Sequence, residues 1–429
     1  MPPANKNLNR TVFCLNQGSK QTQPGRLLEV DCEPVLHRPF ETAGIIRTYR
    51  IQPKSQRALL GYNAQEFGAE NVLAPVCESP AETYAEHGGG MKTMAVASAP
   101  ASAQARTMAA PQAFLVWLIP VFYQLSLSAM FRSAEFRRVN VTLGSGLLAV
   151  AIAWSVAGPF AAWLALNYLD RQQLDRGRNR MVVHGALLAA VTPPLFTAMG
   201  KISSNELLAW YLVTAFVAVT ALLPVSESSS AASMVRFRHV HASSAIVLAI
   251  FAIAHIFNHS LAIVSLGTHT AVLHVLRLVY RQSIGETILV VAVAVQVCTG
   301  LTMVWKYSLR RASPLRNLQL VSGVYLAVFL VTHLITIFTT RQRGIDTDFV
   351  WASHAPAGLL GGLSSVSLLP RYSLAVLAVF VHLACQARWN LSRVMSESAA
   401  RKASYSVMAL GGAATVVITL AACGVHLMK

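Results

Sequence analysis

The sequence predicts an all-α fold, a polytopic membrane helical bundle with about nine transmembrane helices. Composition is the first observation behind that prediction. Hydrophobic residues make up 54% of the 429 and charged residues only 12%, with a mean hydropathy of +0.49. A soluble domain carries about 25% charged residues. The second is the length of the apolar runs, which match the roughly 20 residues needed to cross a hydrocarbon core of about 30 Å. The third is the placement of charge. The net charge is +17, but residues 1–110 hold 11 basic and 9 acidic side chains, nearly in balance, and the excess falls in loops between apolar runs. Loop arginines that orient helices account for it, so a nucleic-acid partner is not expected.

Along the chain, residues 1–90 are polar and mixed with no sustained helical or strand period, which reads as a flexible segment. Glu86-His87-Gly88-Gly89-Gly90 precedes Met91 and Met94, and one of these two is expected as an alternative to Met1 as the start. A purine-rich ribosome-binding site read in frame would give such glycines. Residues 95–112, rich in Ala and Ser, lead into the first span without the layout of a cleaved signal peptide. The expected spans are 113–131, 141–167, 181–199, 206–224, 241–265, 286–306, 317–338, 371–391 and 405–427. Pro193-Pro194 should kink the third and leave carbonyls for neighbours to satisfy. These spans divide the chain into a flexible segment (1–110), a four-helix membrane region (111–230) and a second membrane domain (231–429).

Fourteen basic residues, among them Arg176, Arg238, Arg311, Arg316 and Arg388, fall on one side of that topology. Nine, among them Arg277, Arg281, Arg341 and Arg371, fall on the other. The bias puts the N-terminus in the cytoplasm of a bacterial inner membrane. Six scattered cysteines without a C-x-x-C pair encode neither an iron–sulfur nor a thiolate zinc site.

The most informative feature is a repeat between the fifth and seventh spans. Residues 241–255 align without a gap on 319–333, with Ser244/Ser322, Leu248/Leu326, Ala249/Ala327, Phe251/Phe329 and His255/His333 identical. Their partner helices align when Gln296 is set against His382. Two related pairs would build a four-helix bundle. His255 lies about 21 Å along its helix from His241, at about 1.5 Å per residue, and His333 lies as deep in its own. His382 enters from the opposite face to roughly 16 Å. The three are therefore expected to meet in the middle or outer half of the bilayer, with His259 one turn beyond His255. Intramembrane histidines at such depth face the bundle interior with a partner, and haem iron suits neutral imidazoles. The alternative is a neutral histidine bonded to a carbonyl of the next helix.

The opening Arg236-x-Arg238-His-x-His241-x-x-Ser244-Ala followed by His255 resembles the first helix of the cytochrome b membrane-anchor family of succinate dehydrogenase and fumarate reductase. Leu318-Gln319-x-x-Ser322-Gly323 followed by His333 looks like the same motif again, and His269-x-x-x-x-His274-x-x-Arg277-x-x-Tyr280-Arg281 precedes a helix as in those anchors. The resemblance covers about 236–391. It implies one or two b-type haems held by paired histidines, a quinone site at one membrane face, and a soluble or peripheral redox subunit as partner. His255, His333 and His382 are then candidate iron ligands, His382 first, with His274 a fourth. Arg277, Arg281 and Arg341 are candidates for haem propionates or quinone oxygens, and no residue is assigned a catalytic role. The anchors have about five spans against nine here, and Gln296 stands where a ligand would be expected.

Other patterns carry less. His255-x-x-x-His259 lacks the Glu of a zinc protease. Asp346 and Asp348, beside Arg341 and Arg343, read as a solvated loop. Two functions stay open: a quinone-linked electron-transfer subunit of an oxidoreductase, or a non-redox adaptor or small-molecule transporter with the same bundle. Broken helices would favour transport, and Pro193-Pro194 is the only hint of one.

Overall fold

A computed structural model of the chain describes residues 109–223 and 231–428, together with three short strands nearer the N-terminus. Those strands, β1 (Val12–Cys14), β2 (Leu28–Pro34) and β3 (Tyr49–Pro53), form an antiparallel sheet in the order β1-β2-β3. Val12 pairs with Val30, and Cys32 with Ile51. The aperiodic reading of this segment did not anticipate them. The alternative starts at Met91 and Met94 lie outside the described residues.

The second unit is helical. A 3-10 turn (Pro111–Trp117) leads into α1 (Leu118–Phe136), followed by α2 (Val141–Arg171), α3 (Arg180–Ile202), α4 (Glu206–Leu222) and α5 (Ala231–Leu261). Then come α6 (Leu266–Tyr280), α7 (Ser283–Tyr307), α8 (Pro314–Gln342), α9 (Phe349–Ser353), α10 (Leu363–Val366), α11 (Leu368–Leu391) and α12 (Glu397–Ala422). Side-chain caps fix several starts. Asn140, Asn205, Ser265, Ser313 and Ser396 each accept a backbone N–H from the first turn that follows, and Pro314 occupies the first helical turn of α8.

Among the described residues eight helices are long and apolar enough to cross a membrane, which fits an integral, multi-pass protein of a lipid bilayer. They correspond to eight of the nine expected spans. The ninth, α4, has 17 residues, or about 25 Å of rise, and falls short on length alone. Its ends nevertheless match those of α3. Gly200 abuts the Glu206 carboxylate at one end, and Arg180 donates to the Leu223 carbonyl at the other. α4 therefore runs back along the whole of α3.

Pro193 and Pro194 do not break α3. Pro193 deprives the Ala189 carbonyl of its helical donor, and that oxygen packs onto Gly158 of α2. A Cβ built at Gly158 would lie 2.2 Å from it. Only a glycine admits this approach, and a weak Cα–H···O contact takes the place of the lost bond. The discontinuity that would have suggested transport is absent from α3.

The two expected membrane regions share one core. Val321, Val324 and Val366 belong to the same buried cluster as Tyr123, Leu166, Val182 and Trp210. A buried ionic network closes the seam at the arginine-rich end. Arg176, 1% exposed, donates to both Asp170 oxygens (3.1 and 2.6 Å), the Ser308 carbonyl and Asn317. Arg238 meets the Tyr307 hydroxyl, Arg311 the Gln173 carbonyl, and Arg316 lies over the Trp389 ring. These loops therefore gather at one end, as the charge pattern predicts.

Candidate histidine sites

The repeat is visible in three dimensions. Phe251 stacks on His255 with ring centroids 5.3 Å apart and planes at 18°. Phe329 stacks on His333 at 5.2 Å and 15°. Each phenylalanine also meets a tyrosine edge-on, Tyr280 in one case and Tyr372 in the other. Leu248 packs with Val293, Val297 and Ala327, which sets α5 and α8 in register. Residues 78 positions apart thus stand in like surroundings.

The serines one turn or more below behave alike. Ser244 donates to the Gln296 amide oxygen at 2.6 Å, and Ser322 lies 3.3 Å from His382 Nδ1. Gln296 and His382 therefore occupy corresponding places. Between the two halves histidine and glutamine have changed sides. In the first, His241 of α5 bonds Gln296 (2.9 Å) and Thr299 (2.9 Å) and its ring lies against Gly300 of α7. In the second, His382 of α11 donates from Nδ1 to the Gln319 carbonyl (3.2 Å) and its ring lies against Gly323 of α8. Gln319 in turn bonds Gln386 at 3.0 Å.

These contacts correct the expected pairing. His382 sits level with Gln319 to Gly323, whereas His333 lies 10 residues beyond Gly323 on α8, a rise of about 15 Å. One iron cannot take both. His382 instead lies within electrostatic reach of His241, the imidazole at its own level. The histidines form two tiers: His241 and His382 toward the arginine-rich end, and His255, His259, His269 and His333 toward the other. His259 bonds His255 (Nε2 to Nε2, 3.1 Å), stacks on His269 at 5.2 Å and interacts with His333.

His274 is not part of either tier. It is exposed on α6, while His269, five residues earlier, is fully buried and bonded to Asn258 at 3.1 Å. Burial holds the His269 pKa down to about 4, the Asp348 carboxylate opposing and the Arg277 guanidinium reinforcing the shift.

The arginines expected to meet propionates or quinone oxygens already have carboxylate partners. Arg277 is bidentate to Asp346 (3.0 and 2.8 Å), Arg281 reaches Asp346 and Thr347, and Arg341 pairs with Glu286. Hydrogen bonds from Arg277 lower the Asp346 pKa. Asp348 caps α9 instead. Arg371, also at that end, is 1% exposed and pairs with no carboxylate among the described residues.

The tiers suit an axially ligated haem in two respects. His382 has its Nδ1 fixed by a backbone carbonyl, which orients the ring and leaves Nε2 for a metal. His255, His259 and His382 are half-buried, which leaves ring surface for an apolar macrocycle to cover. Among the described residues no group of three or more His, Cys, Asp or Glu could hold a bare metal ion.

His241, His269 and Arg371 were missed in the sequence as site residues. The reciprocal His/Gln exchange in the two repeat alignments was the signal for His241. Comparison of the chain with protein-family models, curated proteins and solved structures finds no match.

Proposed function

We propose that the protein is a b-type cytochrome of the membrane, carrying electrons between its two faces as the quinone-linked subunit of an oxidoreductase. The observation that supports this best is the pair of histidine tiers in one duplicated bundle. His255 lies 14 residues beyond His241 on α5, about 21 Å, so the tiers are spaced along the membrane normal. His382 would ligate one haem with His241, whose Nε2 would have to leave Gln296, and His255, on leaving His259, would ligate a second with His333. The haems supply a one-electron couple. The chain supplies axial nitrogens, apolar walls and orientation. The Gln319 carbonyl holds the His382 tautomer, Phe251 and Phe329 fix the planes of His255 and His333, and Gly300 and Gly323 leave room for the inner rings.

A quinone headgroup would be met at the outer tier. Asn258 Oδ1 and His269 Nδ1 are buried there without hydrogen-bond partners; since His269 Nε2 accepts from Asn258 Nδ2, Nδ1–H would donate to a quinone carbonyl, and Asn258 Oδ1 would accept from a quinol hydroxyl.

The test is a reduced-minus-oxidised absorption spectrum of protein purified after haem-replete expression. A low-spin b-type band is expected. A colourless, folded protein would transfer support to the adaptor reading.

A further inference from the structure

Arg371 is a buried guanidinium without an anion. Its Nη2 donates weakly to Thr332 Oγ1 at 3.3 Å, and its Nε and Nη1 have no hydrogen-bond partner. The Phe329 and Tyr372 rings lie 5.6 and 5.7 Å from its Cζ. No described carboxylate pairs with it. Arg176, equally buried, shows how this fold satisfies such a group, with a bidentate aspartate, a carbonyl and an amide. An arginine keeps its charge in a protein, and an uncompensated charge among apolar side chains is costly.

A second unpartnered donor lies within its electrostatic field. Tyr123 of α1 is fully buried, its hydroxyl is unpaired, and it lies within electrostatic reach of Arg371. Two guanidinium nitrogens and a phenol O–H are thus left to donate. Tyr325 OH already donates to the Arg371 carbonyl at 2.6 Å. Val156, Leu326, Phe329, Leu374 and Ala378 make the surroundings apolar. The positive end of α11, which begins at Leu368 without a side-chain cap, adds to the field.

We propose that Arg371 and Tyr123 receive the carboxylate of an apolar molecule at the seam between α1, α8 and α11. Either edge of the guanidinium, Nε with Nη2 or Nη1 with Nη2, matches the two oxygens of a carboxylate, the phenol supplies a further donor, and the apolar wall covers the rest. A free fatty acid and a haem propionate share that chemistry.

Equilibrium binding to the purified full-length protein in nanodiscs separates the sources and tests the site. Haem-free protein is titrated with oleate and with methyl oleate, and separately with haem and with haem dimethyl ester. If fatty acid is the occupant, one oleate binds per chain, at least tenfold tighter than its ester. If a propionate is, haem is preferred over its diester by a similar factor. In either case Arg371→Gln abolishes the preference for the acid and leaves ester binding unchanged, and Tyr123→Phe reduces it severalfold. No preference for acid over ester in either pair overturns the proposal, as does a preference that survives Tyr123→Phe and Arg371→Gln. Should Arg371→Gln fail to fold, the wild-type ratios and Tyr123→Phe decide. Failure of haem to bind would remove the cytochrome reading but leave the oleate arm intact.

Discussion

Replacing Gly323 by alanine should disturb His382 selectively. A Cβ at that position would stand 2.9 Å from the His382 ring carbon Cε1 and 3.3 Å from Nδ1, where ordinary contact begins at 3.4 Å. The imidazole must retreat by about 0.5 Å, since tightly packed atoms cannot interpenetrate. Its bond to the Gln319 carbonyl is already 3.2 Å long, so that retreat carries it beyond 3.5 Å. Loss of one hydrogen bond costs about 1 kcal/mol, and overpacking adds about 1 to 3. Gly412→Ala on α12 is the control, because nothing lies within 4 Å of its added Cβ. Thermal unfolding and the visible spectrum read the two effects. Gly323→Ala should lower stability by roughly 2 to 4 kcal/mol and shift one haem of the pair toward high spin. Equal stability and an unchanged spectrum in both variants would refute the packing argument.

Further expectations follow from the same geometry. Gly158→Ala should destabilise more than Gly323→Ala, because its Cβ meets a backbone oxygen at 2.2 Å that no side-chain rotation relieves; thermal unfolding of the two variants ranks them. Asp170→Asn leaves Arg176 buried without its anion and should cost about 3 to 5 kcal/mol, measured by unfolding in mild detergent. The folded pKa of His269, about 4 against 6.5, means that the unfolded chain binds the extra proton. That contribution is complete above pH 6.5 and is lost as pH falls toward 4, amounting to about 3 kcal/mol; His269→Gln should flatten the stability profile across that window. Asp346 acts in the same direction at lower pH. Its pKa is depressed, so its contribution is present above the ordinary carboxylate value and disappears on stronger acidification. Being exposed, it is worth about 1 kcal/mol or less, and Asp346→Asn should remove it from the acid limb of the unfolding curve.

Much of this architecture was legible in the chain. Apolar run length located eight helices that cross the membrane, and the ungapped match of 241–255 to 319–333 anticipated the like placement of Phe251/His255 and Phe329/His333. α4 was legible as a run but not as a short helix, because its end depends on Arg180 reaching Leu223 from another helix. Depth failed for His382, because it was counted from 371 as a membrane edge. α11 begins earlier, at Leu368, and Arg371 is buried rather than placed at the surface. Three residues of offset displaced the histidine by about 5 Å, part of its separation from the tier of His333. Arginine roles were not legible at all. Whether Arg277, Arg281 and Arg341 are spent on Asp346 and Glu286 depends on contacts 55 to 69 residues apart in sequence. His274 and His269 differ only in the face of α6 they occupy, which its neighbours decide.

The two-tier arrangement is tested most directly by counting haem in single and double histidine variants. His382→Ala and His333→Ala should each remove or convert to high spin about half of the haem, and the double variant all of it, because each residue serves a different tier. Loss of the same haem in both single variants, with no further change in the double, would contradict the arrangement.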